Sequence, residues 1–149
     1  MKKLFLMLVA VLVSSVAIAK DEVGVNWFHG TLEQAIEKAS AEDKLVFVDC
    51  FVDWCGPCKR MKANEFTKEE AGNYFNKNYV CIAIDMEKGE GLDVAKKYSI
   101  RSYPTFLILD AQGEHLGTVV GGAEMSAFIK KVEKAKVKKV KNKKDKNKK

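Results

Sequence analysis

Trp54-Cys55-Gly56-Pro57-Cys58 follows directly on the apolar run Leu45 to Val52, which sets two thiols three positions apart where a strand turns into a helix. A run of that length with apolar residues on both faces reads as a buried strand. Pro57 fits the first turn of the helix after it. A helix that begins at Cys55 aims its free backbone N–H groups and the positive end of its dipole at that sulfur, which favours thiolate over thiol. Cys55 is therefore the candidate nucleophile. Cys58, one turn on, shares the helix face, lies within reach of a disulfide with Cys55, and is expected to be better shielded. It is the candidate resolving thiol.

The same spacing occurs in zinc knuckles, which need two more ligands at comparable spacing. No second such pair exists, and His29 and His115 stand alone and far from the motif, so thiol redox chemistry is the favoured reading, with no metal and no cofactor expected.

Export changes what the remaining cysteines mean. The chain opens Met1-Lys2-Lys3, continues apolar from Leu4 to Val13, and reaches the small-residue triplet Ala17-Ile18-Ala19, the pattern of a secretory signal (residues 1–19) cut after Ala19. As an uncleaved anchor, Leu4 to Ile18 would reach only about 22 Å against a hydrocarbon core of about 30 Å. A periplasmic or otherwise secreted location lets disulfides persist. Cys50 and Cys81 nonetheless sit among large apolar residues in two predicted strands and read as separate buried thiols, with a Cys50–Cys81 bridge as the alternative.

Charge is concentrated at the C-terminal end. Residues Lys130 to Lys149 hold 12 lysines against Glu133 and Asp145. With Lys2 and Lys3 also set aside, the formal +6 of the whole chain leaves −6 on residues 4–129, so the basic character belongs to a tail. Residues 136–149 are expected to form a disordered Lys-rich tail, solubilising or in weak contact with anionic surfaces; nucleic acid is not an expected partner.

The 149 residues, 47% hydrophobic, suit one domain over residues 20–135. Thr31 caps a helix with Leu32, Ala35, Ile36 and Ala39 on one face. Strand Lys44 to Val52 comes next, then a helix from Pro57 toward Glu65. Thr67-Lys68-Glu69-Glu70 has capping-box spacing for a short helix through Tyr74. Strand Tyr79 to Asp85 follows, and a helix with Leu92, Ala95 and Tyr98 on one face. Strands Thr105 to Leu109 and His115 to Val120 flank the turn Asp110-Ala111-Gln112-Gly113, and a closing helix from Ala123 buries Met125, Phe128, Ile129 and Val132. This order predicts an α/β fold, a central mixed sheet with helices on both faces.

Trp54-Cys55-Gly56-Pro57-Cys58-Lys59, the later Ser102-Tyr103-Pro104-Thr105 and the element order, over roughly residues 26–132, together resemble the thioredoxin family. Within it, Asp53-Trp54-Cys55 and the Asp110–Gly113 turn are more similar to secreted thioredoxin-like proteins, including the C-terminal domain of the transmembrane thiol-disulfide interchange protein. The resemblance implies a thioredoxin-like fold and maps the family's nucleophile onto Cys55 and its resolving thiol onto Cys58. It further implies that Asp49 is a buried carboxylate that assists proton transfer at the second sulfur, and that Pro104 is a cis-proline facing the redox pair. Tyr103, before that proline, would offer its backbone to an extended substrate, with Trp54 as a flat docking wall or as core filling, and Gly56 and Pro57 as the dipeptide of reducing centres.

One departure stands out. Where the family commonly carries a lysine beside the buried carboxylate, this chain has Cys81, so no charge from that position lowers the pKa of Asp49. If Cys81 faces Asp49, strand alternation turns Cys50 away from it.

The resulting expectation is an exported protein-disulfide reductase that acts on protein or peptide disulfides and is recharged by a membrane electron donor. A disulfide-forming oxidase or isomerase, and a non-catalytic peptide-binding module, are the alternatives.

Overall fold

The computed structural model describes residues 23–146, so the leader expected over residues 1–19 lies outside the described residues. Four strands form one sheet in the order β2-β1-β3-β4: β1 (Leu45–Phe51), β2 (Tyr79–Asp85), β3 (Thr105–Leu109) and β4 (His115–Val120). β2 lies parallel to β1, and the other two pairings are antiparallel. Helices α1 (Leu32–Ala41), α2 (Gly56–Arg60), α3 (Glu69–Asn78), α4 (Gly91–Lys97) and α5 (Met125–Lys146) connect and cover them. The expected α/β mixed sheet is the fold, and strands β3 and β4 have the bounds read from the sequence.

Alternation along β1 splits the core in two. Val46, Val48 and Cys50 face one side with Ile82, Ile84, Leu107, Leu109 and the α1 residues Leu32, Ala35 and Ala39. Phe47 faces the other with Cys81, Phe106, Ile108, Phe75 and Phe128. Five rings surround Phe47, from Phe75 at 4.5 Å to Phe128 at 6.2 Å between centroids, with Phe106 stacked on it at 5.6 Å. Cys50 and Cys81 therefore lie on opposite sides as free buried thiols, and the alternative bridge between them is not formed.

Local signals account for most boundaries. Thr31 Oγ1 accepts from the Gln34 N–H at 3.2 Å while the Gln34 side chain accepts from the Thr31 N–H at 3.0 Å, a reciprocal cap that starts α1. In the β3–β4 turn Asp110 Oδ1 accepts from the Gln112 and Glu114 amides, and Gly113 takes the positive φ of 77° that the reversal requires.

Four expectations are corrected. Thr67 does not cap α3: its hydroxyl donates to the Ala63 carbonyl at 3.0 Å, and Lys68 occupies the cap without a side-chain bond. The helix after the cysteines is not uniform, because Met61–Glu65 is a π-helical turn closed by the Phe66 N–H on the Met61 carbonyl at 2.9 Å. Leu92 does not share a face with Ala95 and Tyr98 against the core: it is 60% exposed, while Ala95 and Tyr98 are partly buried and Gly91 and Val94 are buried. Finally, α5 starts at Met125 rather than Ala123, and its backbone is helical through Lys146.

Phe47→Ala is expected to cost about 3–5 kcal/mol in denaturant unfolding, whereas Leu92→Ala should stay within about 0.5 kcal/mol of the parent protein. Similar losses for both would show that the ring cluster is not the centre of the core.

Candidate active site

The C-terminal end of β1 delivers the motif. After Val52 the chain turns, the Cys55 N–H donates to the Val52 carbonyl at 3.1 Å, and Cys55 becomes the N-cap of α2 with extended backbone angles. Its Sγ accepts from the Cys58 N–H at 3.1 Å. This is the place where a sulfur feels unpaired helix N–H groups most strongly. Cys55 and Cys58 are joined in a disulfide with Cα atoms 5.3 Å apart, so both anticipated thiols form one redox pair.

Exposure differs from the expectation that Cys58 is the better shielded of the two. Cys55 is 3% and Cys58 5% exposed, because both pack against the β1 side that holds Cys50 and Val52. What distinguishes the two sulfurs is position: Cys55 caps the helix and accepts its N–H, and Cys58 is a turn inside. A reacting sulfur has only a narrow approach to the pair.

Trp54 forms one wall of that approach. It is 68% exposed, which removes the core-filling reading, and its ring stands edge-on to Tyr103 at 6.0 Å. Its indole N–H donates to both oxygens of Glu87 at 3.1 Å. Below it, Lys88 pairs with Asp53 and, at 2.9 Å, with Asp85. Glu87 and Lys88 escaped sequence reasoning because they lie more than thirty residues from the motif, and only the return of β2 alongside β1 brings them there.

The Tyr103–Pro104 peptide bond is cis, as the resemblance implied. The Pro104 carbonyl accepts from the Gly121 N–H at 2.8 Å, which ties the segment to the end of β4. Tyr103, in contrast, makes no main-chain hydrogen bond among the described residues, so its N–H and C=O are available to an incoming strand. Gly56 and Pro57 form the first turn of α2 between the two cysteines.

Asp49 lies in β1, opposite Ala83 of β2 and Phe106 of β3, and is 4% exposed. Its Oδ1 is buried without a hydrogen-bond partner. Burial pushes its carboxyl up to about 7, and the charge of Lys62 pulls the other way. The thiols of Cys50 and Cys81 are pushed far up by burial, so neither is thiolate near neutrality. Cys81 sits opposite Phe47, on the same side of the sheet as Asp49 but one pleat along, as strand alternation required. Among the described residues no group of three His, Cys, Asp or Glu side chains is placed to hold a metal ion.

A disulfide-bonded cysteine pair at a helix start, beside an exposed aromatic ring and an unpaired backbone edge, is the site of a thiol-disulfide oxidoreductase of the thioredoxin fold. Residues 27–134 match the family model described as Thioredoxin, and the chain belongs to the thioredoxin family. It is 32% identical over 113 residues to Thioredoxin-1 of Drosophila melanogaster, covering 74% of this chain and 94% of that protein. A candidate disulphide isomerase of Bacteroides thetaiotaomicron, known as a solution structure, is 41% identical with a TM-score of 0.65, covering 74% of this chain and 91% of that one. The thiol:disulfide interchange protein DsbD of Colwellia psychrerythraea is 32% identical over 111 residues, which are 69% of this chain but 18% of that longer protein. The C-terminal domain of DsbD from Neisseria meningitidis shares the fold, with a TM-score of 0.60 at 24% identity, 74% of this chain and 99% of that one being covered.

The Asp49 carboxyl gives a pH test. An acid whose folded pKa is raised from 3.8 to about 7 keeps its proton longer in the folded state, so its burden is absent below the unfolded value and grows as pH rises through the folded one. That difference corresponds to on the order of 4 kcal/mol. The stability of Asp49→Asn relative to the parent, from denaturant melts, should increase between about pH 4 and pH 7 and then level off. Parallel curves would show that Asp49 ionises as freely folded as unfolded.

Proposed function

We propose that this protein is an exported protein-disulfide reductase. The observation that carries the reading is the placement of Cys55: it caps α2, accepts the Cys58 N–H, and is bonded to Cys58. In the reduced protein the Cys55 thiolate attacks one sulfur of a substrate disulfide; an S–S bond forms to Cys55 and the other substrate sulfur leaves as a thiolate that takes a proton from water. Asp49 then accepts the Cys58 proton, and the Cys58 thiolate attacks Cys55 Sγ, expelling the second substrate thiol. Two electrons have passed to the substrate, and the protein holds the Cys55–Cys58 disulfide.

The substrate is a protein or peptide whose chain lies extended along the open main chain of Tyr103 and against the exposed face of Trp54. Gly56 and Pro57 between the cysteines support the reducing direction. Export rests on the leader at residues 1–19, and a reductant outside the cytosol requires a membrane protein that passes electrons outward; the 32% identity to DsbD, a thiol:disulfide interchange protein, supports thiol-disulfide exchange as the chemistry. The Lys-rich C-terminal end adds weak attraction to anionic surfaces.

Disulfide isomerisation is the second reading, favoured by the 41% identity to the Bacteroides chain described as a candidate isomerase. The equilibrium redox potential separates the readings: a reductase of this kind should sit near about −270 mV, and a value near about −180 mV or above would replace it with an isomerase or oxidase. Cys58→Ser is expected to accumulate covalent adducts with exported proteins through Cys55, identified by mass spectrometry, while Cys55→Ser forms none.

A further inference from the structure

Charge is split along this chain: residues 130–149 carry 12 lysines against Glu133 and Asp145, and residues 4–129 are net negative at −6. The fold decides where the basic end is attached. α5 starts beside the redox centre: the Gly121 N–H, just before it, donates to the Pro104 carbonyl at 2.8 Å, and a Cβ on Gly122 would meet Met61 Cγ at 2.9 Å. From there α5 runs back along β4 toward its first residues, where a Cβ on Gly117 would lie 2.8 Å from the main chain of Ala135. Glu133 accepts from the Tyr74 hydroxyl and pairs with Lys136 at 3.0 Å, and the Tyr74 and Tyr79 hydroxyls are 3.3 Å apart. Tyr79 opens β2 opposite Leu45, the first residue of β1, whereas Cys55 follows the last. The length of β1 holds these two ends about 20 Å apart. The chain after Lys136 is therefore attached at the pole opposite the redox pair.

We propose that residues 130–149 form an electrostatic docking surface for an anionic phospholipid bilayer, which holds the protein with Cys55 and Cys58 turned to the aqueous side. The inference rests on the attraction of the Lys-rich end to anionic surfaces, and not on the direction of electron flow. Lys130, Lys131 and Lys134 are exposed on α5, and residues 137–149 add eight lysines against one aspartate. Those twenty residues contain no arginine and no aromatic residue. The planar fork of arginine suits shaped phosphate or carboxylate sites, and aromatic rings suit base stacking and protein pockets. Lysine is a compact, hydrated point charge, and a bilayer of anionic headgroups is a diffuse field wide enough to meet many of them at once. The negative body is repelled by the same surface, so the molecule approaches with its lysine end first. Val132 is already buried in the core, which leaves little apolar surface at this end to insert among acyl chains, and charge carries the attraction.

The test is co-sedimentation of the chain from Lys20 onward, which keeps every described element, with phosphatidylcholine vesicles that contain or lack phosphatidylglycerol. Binding is expected on the anionic vesicles alone, at about 0.1 M salt and not at about 1 M, because the screening length falls from about 10 Å to about 3 Å. A lysine near such a surface is worth about fivefold in affinity, so Lys138→Gln, Lys139→Gln, Lys143→Gln and Lys144→Gln together should weaken binding by about several hundred-fold. Arginine at the same four positions should preserve it. In the vesicle-bound protein, reduced Cys55 should react with a soluble maleimide at the rate seen in free solution. Equal binding to neutral vesicles, indifference to salt or to the glutamine substitutions, or preference for soluble heparin over the anionic vesicles would overturn the docking surface. Slower maleimide reaction on the vesicles would overturn the orientation. A protein that binds the anionic vesicles but reduces no disulfide would defeat the reductase reading and leave the docking surface standing.

Discussion

β1 is enclosed on every side: β2 and β3 hydrogen-bond to its two edges, and helices cover both faces, so its five inner residues are buried. The rest of the molecule depends on that enclosure. It fixes the register that holds the end of β1 beside the start of β3, from which Trp54 and Tyr103 meet, and it fixes where α2 begins. It also places a carboxylic acid where water cannot solvate its charge. Replacing the strand with a half-exposed one would leave Cys55 and Cys58 in the sequence while removing the packed floor and the helix start that hold them.

The two halves of the core serve different purposes. On one side, aliphatic residues of β1, β2 and β3 meet α1 and the redox pair, so the disulfide rests on a well-packed floor. On the other, a cluster of rings around Phe47 receives α3, α5 and the π-helical turn. The helix that starts at Cys55 thus touches both: its first turn packs with the aliphatic side and its continuation with the aromatic side. Chemistry at the sulfurs and packing at the ring cluster are coupled through a single stretch of ten residues, Gly56 to Glu65.

The site combines two opposing electrostatic settings. At Cys55 the helix start supplies N–H groups that stabilise negative charge. At Asp49 burial opposes negative charge, offset in part by Lys62. In the proposed reductase cycle a proton acceptor near neutrality and a nucleophile at a helix start suit successive thiol exchange, because the first attack needs a thiolate at once and the second needs one only after the mixed disulfide has formed.

Much of this was legible in the chain. The apolar run before Trp54-Cys55-Gly56-Pro57-Cys58, the Thr31 cap and the Asp110–Gly113 turn are local signals, and each specifies its structure through bonds among neighbours a few residues apart. Given the resemblance that places Cys81 beside Asp49, strand alternation turned Cys50 to the other face, and the two thiols do lie on opposite sides. The signals that misled were local as well: the spacing at Thr67 and the apolar Leu92 obey helix rules but lost to packing, which turned Thr67 onto Ala63 and Leu92 to solvent. By itself, then, the sequence determined the disulfide-capable pair, the order of elements and that the strand before the motif is buried, since these follow from short-range geometry and hydrophobic period. Tertiary structure alone decided the Glu87 bond to Trp54, the burial of both cysteines and the π-helical turn Met61–Glu65. Those depend on surfaces brought together from tens of residues apart, where no local rule fixes which neighbour arrives.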